Sequence, residues 1–160
     1  TDRLAAALAR HVAPETTVLD FGCGTGISGA ALLQQGFNHL HGTDVTAEMV
    51  DIARGKSLYE KLWVGEPGAD LPRSYDAIVA VGVVSLGAAP PETLSLLIAH
   101  LSPGGVLALS FNDPTVENGS YDAVLEGHVA AADVTVLSRE HGPHLEAKEM
   151  DSDVIVLRRE

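Results

Sequence analysis

VLDFGCGTGISG, residues 18–29, decides the fold. An apolar, β-type run ends in Asp20, glycines follow at 22, 24 and 26, and helix-forming residues begin at Ile27. Strand, glycine turn and helix in that order let a ligand lie against a helix N-terminus, where unpaired N–H groups collect. Glycine tolerates positive φ and lets backbone approach a ligand closely, so a side chain at Gly22 or Gly24 is expected to fill space the ligand needs. Outward from this stretch, short β-branched runs alternate with longer helical ones, which argues for an α/β domain with a parallel sheet. Helices are expected at 4–11, 27–35, 46–54, 90–101 and 117–132, with Leu4, Leu8 and Val12 on one face of the first and Thr46 as N-cap of the third. Strands are expected at 16–21, 39–43, 61–64, 77–81 and 106–111. Two late strands, 134–138 and 154–158, are separated by a polar stretch without a helix and read as an antiparallel pair ending the sheet.

The 160 residues fit one domain, 1–160, with a hydrophobic fraction of 46% and no apolar run long enough to span a membrane. Ten basic against 22 acidic residues give a net charge of −12, which disfavours phosphate backbones and anionic membranes as partners. The single cysteine, Cys23, forbids an intrachain disulfide and a cysteine-based metal cluster, and a cytoplasmic location is the simple inference. The chain starts at Thr1 rather than methionine, which suggests that it began earlier.

Two ligands compete for the turn. Gly24-Thr25-Gly26-Ile27-Ser28-Gly29 satisfies the dinucleotide pattern GxGxxG. Asp20 argues against it: a carboxylate at the end of the first strand repels a pyrophosphate but suits a cation, such as the α-ammonium of S-adenosylmethionine. Asp44, at the end of the second strand, suits ribose hydroxyls in either class. Val45 offers an apolar face to an adenine and Met49 lies one helical turn on, although both also read as ordinary core.

DFGCGTG resembles motif I of the class I S-adenosylmethionine-dependent methyltransferases. GTDVTAEMVDIAR (residues 42–54), SYDAIVAVGVV (74–84) and LSPGGVLALS (101–110) resemble the segments that follow it in that family, in the same order. More narrowly, ARGKSLYEKLWVGE, YDAIVAVGVVSLG and APPETL look like the methyltransferase-like 27, or Williams-Beuren-region, group. The resemblance implies a Rossmann-like three-layer α/β/α sandwich, with a mostly parallel seven-stranded sheet and an antiparallel end hairpin. It implies that Asp20 neutralises the amino end of the methionine moiety and that Gly22, Cys23 and Gly24 run along the ligand by backbone. Asp44 would hold the ribose, Glu66 would stand near the adenine edge where the family usually has Asp, and Val81 would offer backbone near the sulfonium. The family usually carries a segment before the first helix that covers the cofactor. Here almost nothing precedes Asp2, and the loop at 83–91 lacks the His-rich or acidic side chains often found there.

Methyl transfer to an activated carbon needs positioning more than a base, so the lack of a catalytic triad does not count against the reading. The expected activity is S-adenosylmethionine-dependent methyl transfer to a small-molecule acceptor. The rivals are a NAD(P)-dependent oxidoreductase and a non-catalytic S-adenosylmethionine-binding module. No metal is expected: His141 and His144 with Glu146 could be drawn as a cluster, but the spacing is not that of a zinc site. His39 and His41 read as strand-face residues, His100 and His128 as solvated or capping residues, and Trp63 as core.

Overall fold

The computed structural model describes residues 1–145 and 150–160, with side chains described up to 142 and again from 151. The elements run α1 Asp2–Ala9, β1 Val18–Phe21, α2 Ile27–Gln34, β2 Leu40–Asp44, α3 Ala47–Arg54, β3 Lys61–Val64 and β4 Tyr75–Ala80. They continue with α4 Glu92–Ala99, β5 Leu101–Asn112, α5 Asp113–Asn118, α6 Ser120–Ala130, β6 Val134–Leu145 and β7 Met150–Arg159. The seven strands form one sheet in the order β3-β2-β1-β4-β5-β7-β6. All pairings are parallel except those of β7, which runs antiparallel to both β5 and β6. The order reverses at β1 and β4, so the crevice beyond their carboxyl ends is where such sheets hold ligands.

Strand alternation divides the core into two layers. Val18, Ala77, Val79, Val106, Ala108 and Val156 turn to one face, under Leu4 and Leu8 of α1 and Ala31 and Leu32 of α2. Leu19, Ile78, Leu107, Leu109 and Leu157 turn to the other, under Leu94 and Leu97 of α4 and Tyr121 and Leu125 of α6. Strands buried on both faces explain why these runs read as continuous apolar stretches.

The structure corrects several boundaries. The first strand begins at Val18 rather than 16, and the second at Leu40, leaving His39 exposed beside Glu60. The fourth strand ends at Ala80, one residue before Val81, and the helix expected to reach 101 ends at Ala99. The helix expected at 117–132 is two helices. Asn112 caps the first by accepting from the Thr115 N–H at 3.1 Å, and Gly119, at φ +81°, turns the chain between them. Of the polar stretch expected to be a loop, the described residues, 139–145 and 150–153, are strand: β6 and β7 pair from Val134↔Arg159 out to Leu145↔Met150. Its polar side chains read as a turn because their partners lie on other elements. Arg139 of β6 donates to both oxygens of Asp122 on α6, at 2.5 and 3.1 Å, and to Asp153 on β7 at 2.8 Å. Trp63 packs partly buried against the α4/α6 core layer, as expected, and His128 bridges Ser95 and Asp133.

Candidate functional site

Alternation along β1 sends Asp20 to the same face as Val18, beneath the start of α2. There it is fully buried, at 0% exposure. Two hydroxyls, Ser28 of α2 at 2.6 Å and Tyr59 of the α3–β3 connection at 2.7 Å, both donate to Oδ2. Oδ1 is buried and has no hydrogen-bond partner among the described residues. Burial pushes the Asp20 carboxyl up to about 6, against the pull of its two donors and with a further push from Asp44.

The turn that follows is tied to β2, since the Gly22 and Cys23 N–H groups both donate to the Thr43 carbonyl, at 2.8 and 3.0 Å. Gly22, Gly24 and Gly26 all have positive φ, +73°, +55° and +101°. The two ligand-side glycines differ in their surroundings. A Cβ at Gly24 would meet nothing nearer than the Met49 sulfur at 3.9 Å, so the space there is open. A Cβ at Gly22 would stand 2.2 Å from Val83 Cγ2. The protein's own Val83 fills the space expected to belong to the ligand at that position.

Asp44 closes the other side of the turn. Its Oδ2 accepts from the Gly24 N–H at 2.9 Å and its Oδ1 from the Thr46 N–H at 2.9 Å. Thr46 occupies the N-cap position of α3 but makes no side-chain cap, and its own N–H is the one that Asp44 holds. Each carboxylate oxygen accepts more than one bond, so Asp44 retains capacity for hydroxyl donors. Val45 and Met49 are 57% and 42% exposed, which rules out the alternative that they are core. Glu66 is exposed just past β3, where the Gly65 N–H donates to the Asp44 carbonyl at 2.8 Å. Val81 is half-buried beyond β4, and the next N–H, of Gly82, donates to Ser110 Oγ at 2.9 Å.

The carboxyl ends of β1, β2 and β4 thus bring together Asp20, the turn at 22–24, Asp44 and Val81, with Glu66 at the end of β3. Cys23 is buried, and burial with the nearby Asp20 and Asp44 pushes its thiol up to about 12, which removes it as a nucleophile. A concavity of about 520 Å³ lies along the β3 edge, lined by Ala53, Arg54, Leu58, Tyr59 and Trp63 among others and by none of the turn residues 22–26. Of the metal cluster drawn from the sequence, Glu146 and the side chain of His144 lie outside the described residues. His141 pairs with Asp153 at 2.8 Å and Asp151 at 3.3 Å on the exposed hairpin. No helix among the described residues is long and apolar enough to cross a membrane.

Ser28, Tyr59 and Val83 are the residues that sequence reasoning missed. A signal for Tyr59 existed: Gly29 lies inside a helix and Gly42 inside a strand, and interior glycines mark close approach of another group.

The methyltransferase domain family model matches residues 19–107. Human methyltransferase-like protein 27 is 36% identical over 98 residues, 58% of this chain and 39% of that protein. The ribosomal protein L11 methyltransferase of Dechloromonas aromatica is 37% identical over 108 residues, 64% of this chain and 34% of that protein. Among solved structures, magnesium protoporphyrin IX methyltransferase from Synechocystis PCC 6803 with bound S-adenosylmethionine superposes with a TM-score of 0.71. It is 20% identical, over 99% of this chain and 76% of that one. The chain therefore spans well under half the length of these two curated relatives.

Proposed function

We propose that this chain, which belongs to the methyltransferase domain family, binds S-adenosylmethionine at the glycine turn and directs its methyl group to an acceptor. The observation that carries the reading is the fate of the Gly24 N–H. In an anion-binding turn the backbone N–H groups are left to point at the ligand; here the Gly24 N–H is given to the Asp44 carboxylate, with a second carboxylate, Asp20, buried behind the turn. Two acids bracketing a turn repel a diphosphate and favour a ligand with ribose hydroxyls at one end and an ammonium at the other. The residues fit that ligand in a further respect: a buried carboxylate oxygen without a donor costs about 1–3 kcal/mol, which a cationic or water-bridged partner would offset.

On this reading Asp44 takes the ribose hydroxyls, the 22–24 backbone lines the ligand, Val45 and Met49 offer an apolar face to the base, Glu66 stands at the base edge, and Val81 backbone lies near the sulfur. When bound, the donor supplies a methyl group on a sulfonium, ready for in-line displacement. What the chain must add is orientation, worth roughly 7–11 kcal/mol in well-aligned systems. The net charge of −12 favours neutral or cationic acceptors over polyanions. We propose a small molecule as the acceptor, in the cytoplasm; a second reading, a protein acceptor, is favoured by the relatives named as ribosomal protein methyltransferases.

Calorimetric titration with S-adenosylhomocysteine and with NAD(P)H tests the donor. Binding of the thioether and not of the nicotinamide is expected; the reverse would overturn the reading. A panel holding both small nucleophiles and basic peptides, scored for methyl transfer, then separates the two acceptor readings.

A further inference from the structure

Two glycines outside the turn have no ligand to explain them. A Cβ at Gly29, in α2, would stand 2.5 Å from the Tyr59 hydroxyl oxygen and 2.7 Å from Cζ. A Cβ at Gly42, in the middle of β2, would stand 2.8 Å from Tyr59 Cδ1 and 2.9 Å from Cε1. Both elements therefore give up a side chain at the place where one tyrosine ring enters. Neither glycine has positive φ, so neither is required by backbone conformation. What the two omissions admit is a phenol whose hydroxyl reaches the Asp20 carboxylate from the connection after α3.

The carboxylate it reaches is asymmetrically held. Ser28 and Tyr59 both donate to Oδ2, and Oδ1 is buried without a partner among the described residues. A carboxylate that served only to join α2 to the α3–β3 connection could spread two donors over two oxygens. Placing both on one oxygen fixes the rotation of the group and leaves a buried acceptor open, at a cost. We propose that Tyr59 is a positioning residue of the donor site. With Ser28 it clamps Oδ2 of Asp20, so that Oδ1 is kept as the acceptor that answers the ammonium end of the donor, directly or through one water. Gly29 and Gly42 are glycines because Tyr59 must pass between their elements. The inference rests on the donor reading above.

The clamp has a signature that a purely structural tyrosine lacks. The titratable groups that act on Asp20 are Tyr59 itself and Asp44 at the end of β2, with Cys23 of the turn alongside. Burial raises both Tyr59 and Cys23 above their usual ranges, so neither titrates between pH 5 and 8. Ionised Asp20 favours the ammonium ligand, so affinity should fall as pH drops through about 6. Removing one hydroxyl donor disfavours the ionised form and moves that midpoint up by about one pH unit.

The experiment is calorimetric titration of S-adenosylhomocysteine from pH 5 to pH 8 into the wild-type chain, Tyr59→Phe and Ser28→Ala. Tyr59→Phe keeps the ring between Gly29 and Gly42 and removes only the donor. Expected is an upward shift of the midpoint in each variant, with affinity about three-fold weaker near pH 6.5 and nearly restored at pH 8. A wild-type chain that does not bind the ligand at any pH refutes the donor reading itself. A wild type that binds, with a Tyr59→Phe curve that coincides with it or is displaced equally at every pH, overturns the clamp and leaves the donor reading standing. Thermal melts of each variant at pH 8 identify any loss that comes from unfolding, and Ser28→Ala, which leaves the tyrosine in place, then decides the matter.

Discussion

Gly22→Ala tests whether the turn and the loop after β4 are built as one unit. At φ +73° an alanine carries the left-handed penalty of about 1–2 kcal/mol. Its Cβ would also stand 2.2 Å from Val83 Cγ2, 2.9 Å from Cγ1 and 3.0 Å from Cβ. Rotation about χ1 cannot clear three atoms that include the branch point, and β-branched side chains have few rotamers to offer. The loop at 83 must therefore move, and overpacking of this kind costs about 1–3 kcal/mol. The sum, about 2–5 kcal/mol, corresponds to a fall in Tm of about 4–20 °C for a domain of this size. The assay is thermal and urea unfolding of Gly22→Ala, Val83→Ala and the double variant. Val83→Ala removes the contacts at 2.2 and 2.9 Å and leaves only the one at 3.0 Å, so the double variant should recover most of the packing cost and none of the φ cost. The coupling between the two sites should favour the double variant by about 1–2 kcal/mol. Additive effects, or a Gly22→Ala chain as stable as wild type, would refute the reasoning, because the clash would then be absorbed elsewhere.

Asp44→Ala should weaken S-adenosylhomocysteine binding by about 1–3 kcal/mol, since it removes the proposed ribose acceptor and frees the Gly24 and Thr46 N–H groups; unchanged affinity by calorimetry contradicts the assignment. Asp20 should make stability fall with pH. Its folded carboxyl is raised to about 6 from 3.8, so its contribution is greatest below pH 4, is lost as pH rises to about 6, and is level above that. The full span is about 3 kcal/mol. The stability of wild type relative to Asp20→Asn, by urea unfolding across pH 3.5–8, should drop by an amount of that order; a flat difference would show that burial does not disfavour the charge.

The sheet, and the residues proposed for the donor side of the site, were legible because they rest on local rules. Asp20 stands next to last in the four-residue strand β1, the glycines mark positive φ within a few residues, and Asp44 ends the next strand. Each is a short-range statement that a sequence carries in its spacing. What the sequence concealed depends on contacts between distant segments. Val83 and Gly22 are far apart in the chain and meet only because β1 and β4 are neighbours in the sheet. Tyr59 lies in an otherwise unremarked connection and gains its role from two glycines on different elements. The polar residues of β6 read as a loop because Arg139 finds Asp122 and Asp153 only once α6 and β7 are packed. Val45 and Met49 were ambiguous for a related reason: apolar residues after a strand are as consistent with core as with an open ligand face, and only their exposure separates the two.

The same distinction bears on the dinucleotide pattern, which this chain matches at every position. In dinucleotide-binding domains the three glycines serve a tight turn, close approach of backbone to the pyrophosphate, and close packing of helix on strand. Here Gly24 makes the tight turn, at φ +55°, and its N–H is given to a carboxylate of the protein itself. Gly29 does not bring α2 onto the sheet through an empty gap: the Tyr59 hydroxyl occupies the place where its Cβ would stand. At Gly24 and Gly29 the groups that meet the motif are thus the protein's own, and they converge on the two carboxylates, Asp44 and Asp20. A glycine motif records where side chains are forbidden, not what forbids them. At Gly29 the occupant is a phenol, while at Gly24 the space stays open and a carboxylate takes the N–H; the two carboxylates so engaged, Asp20 and Asp44, are the physical ground for the proposal that the turn takes a cationic nucleoside rather than a diphosphate.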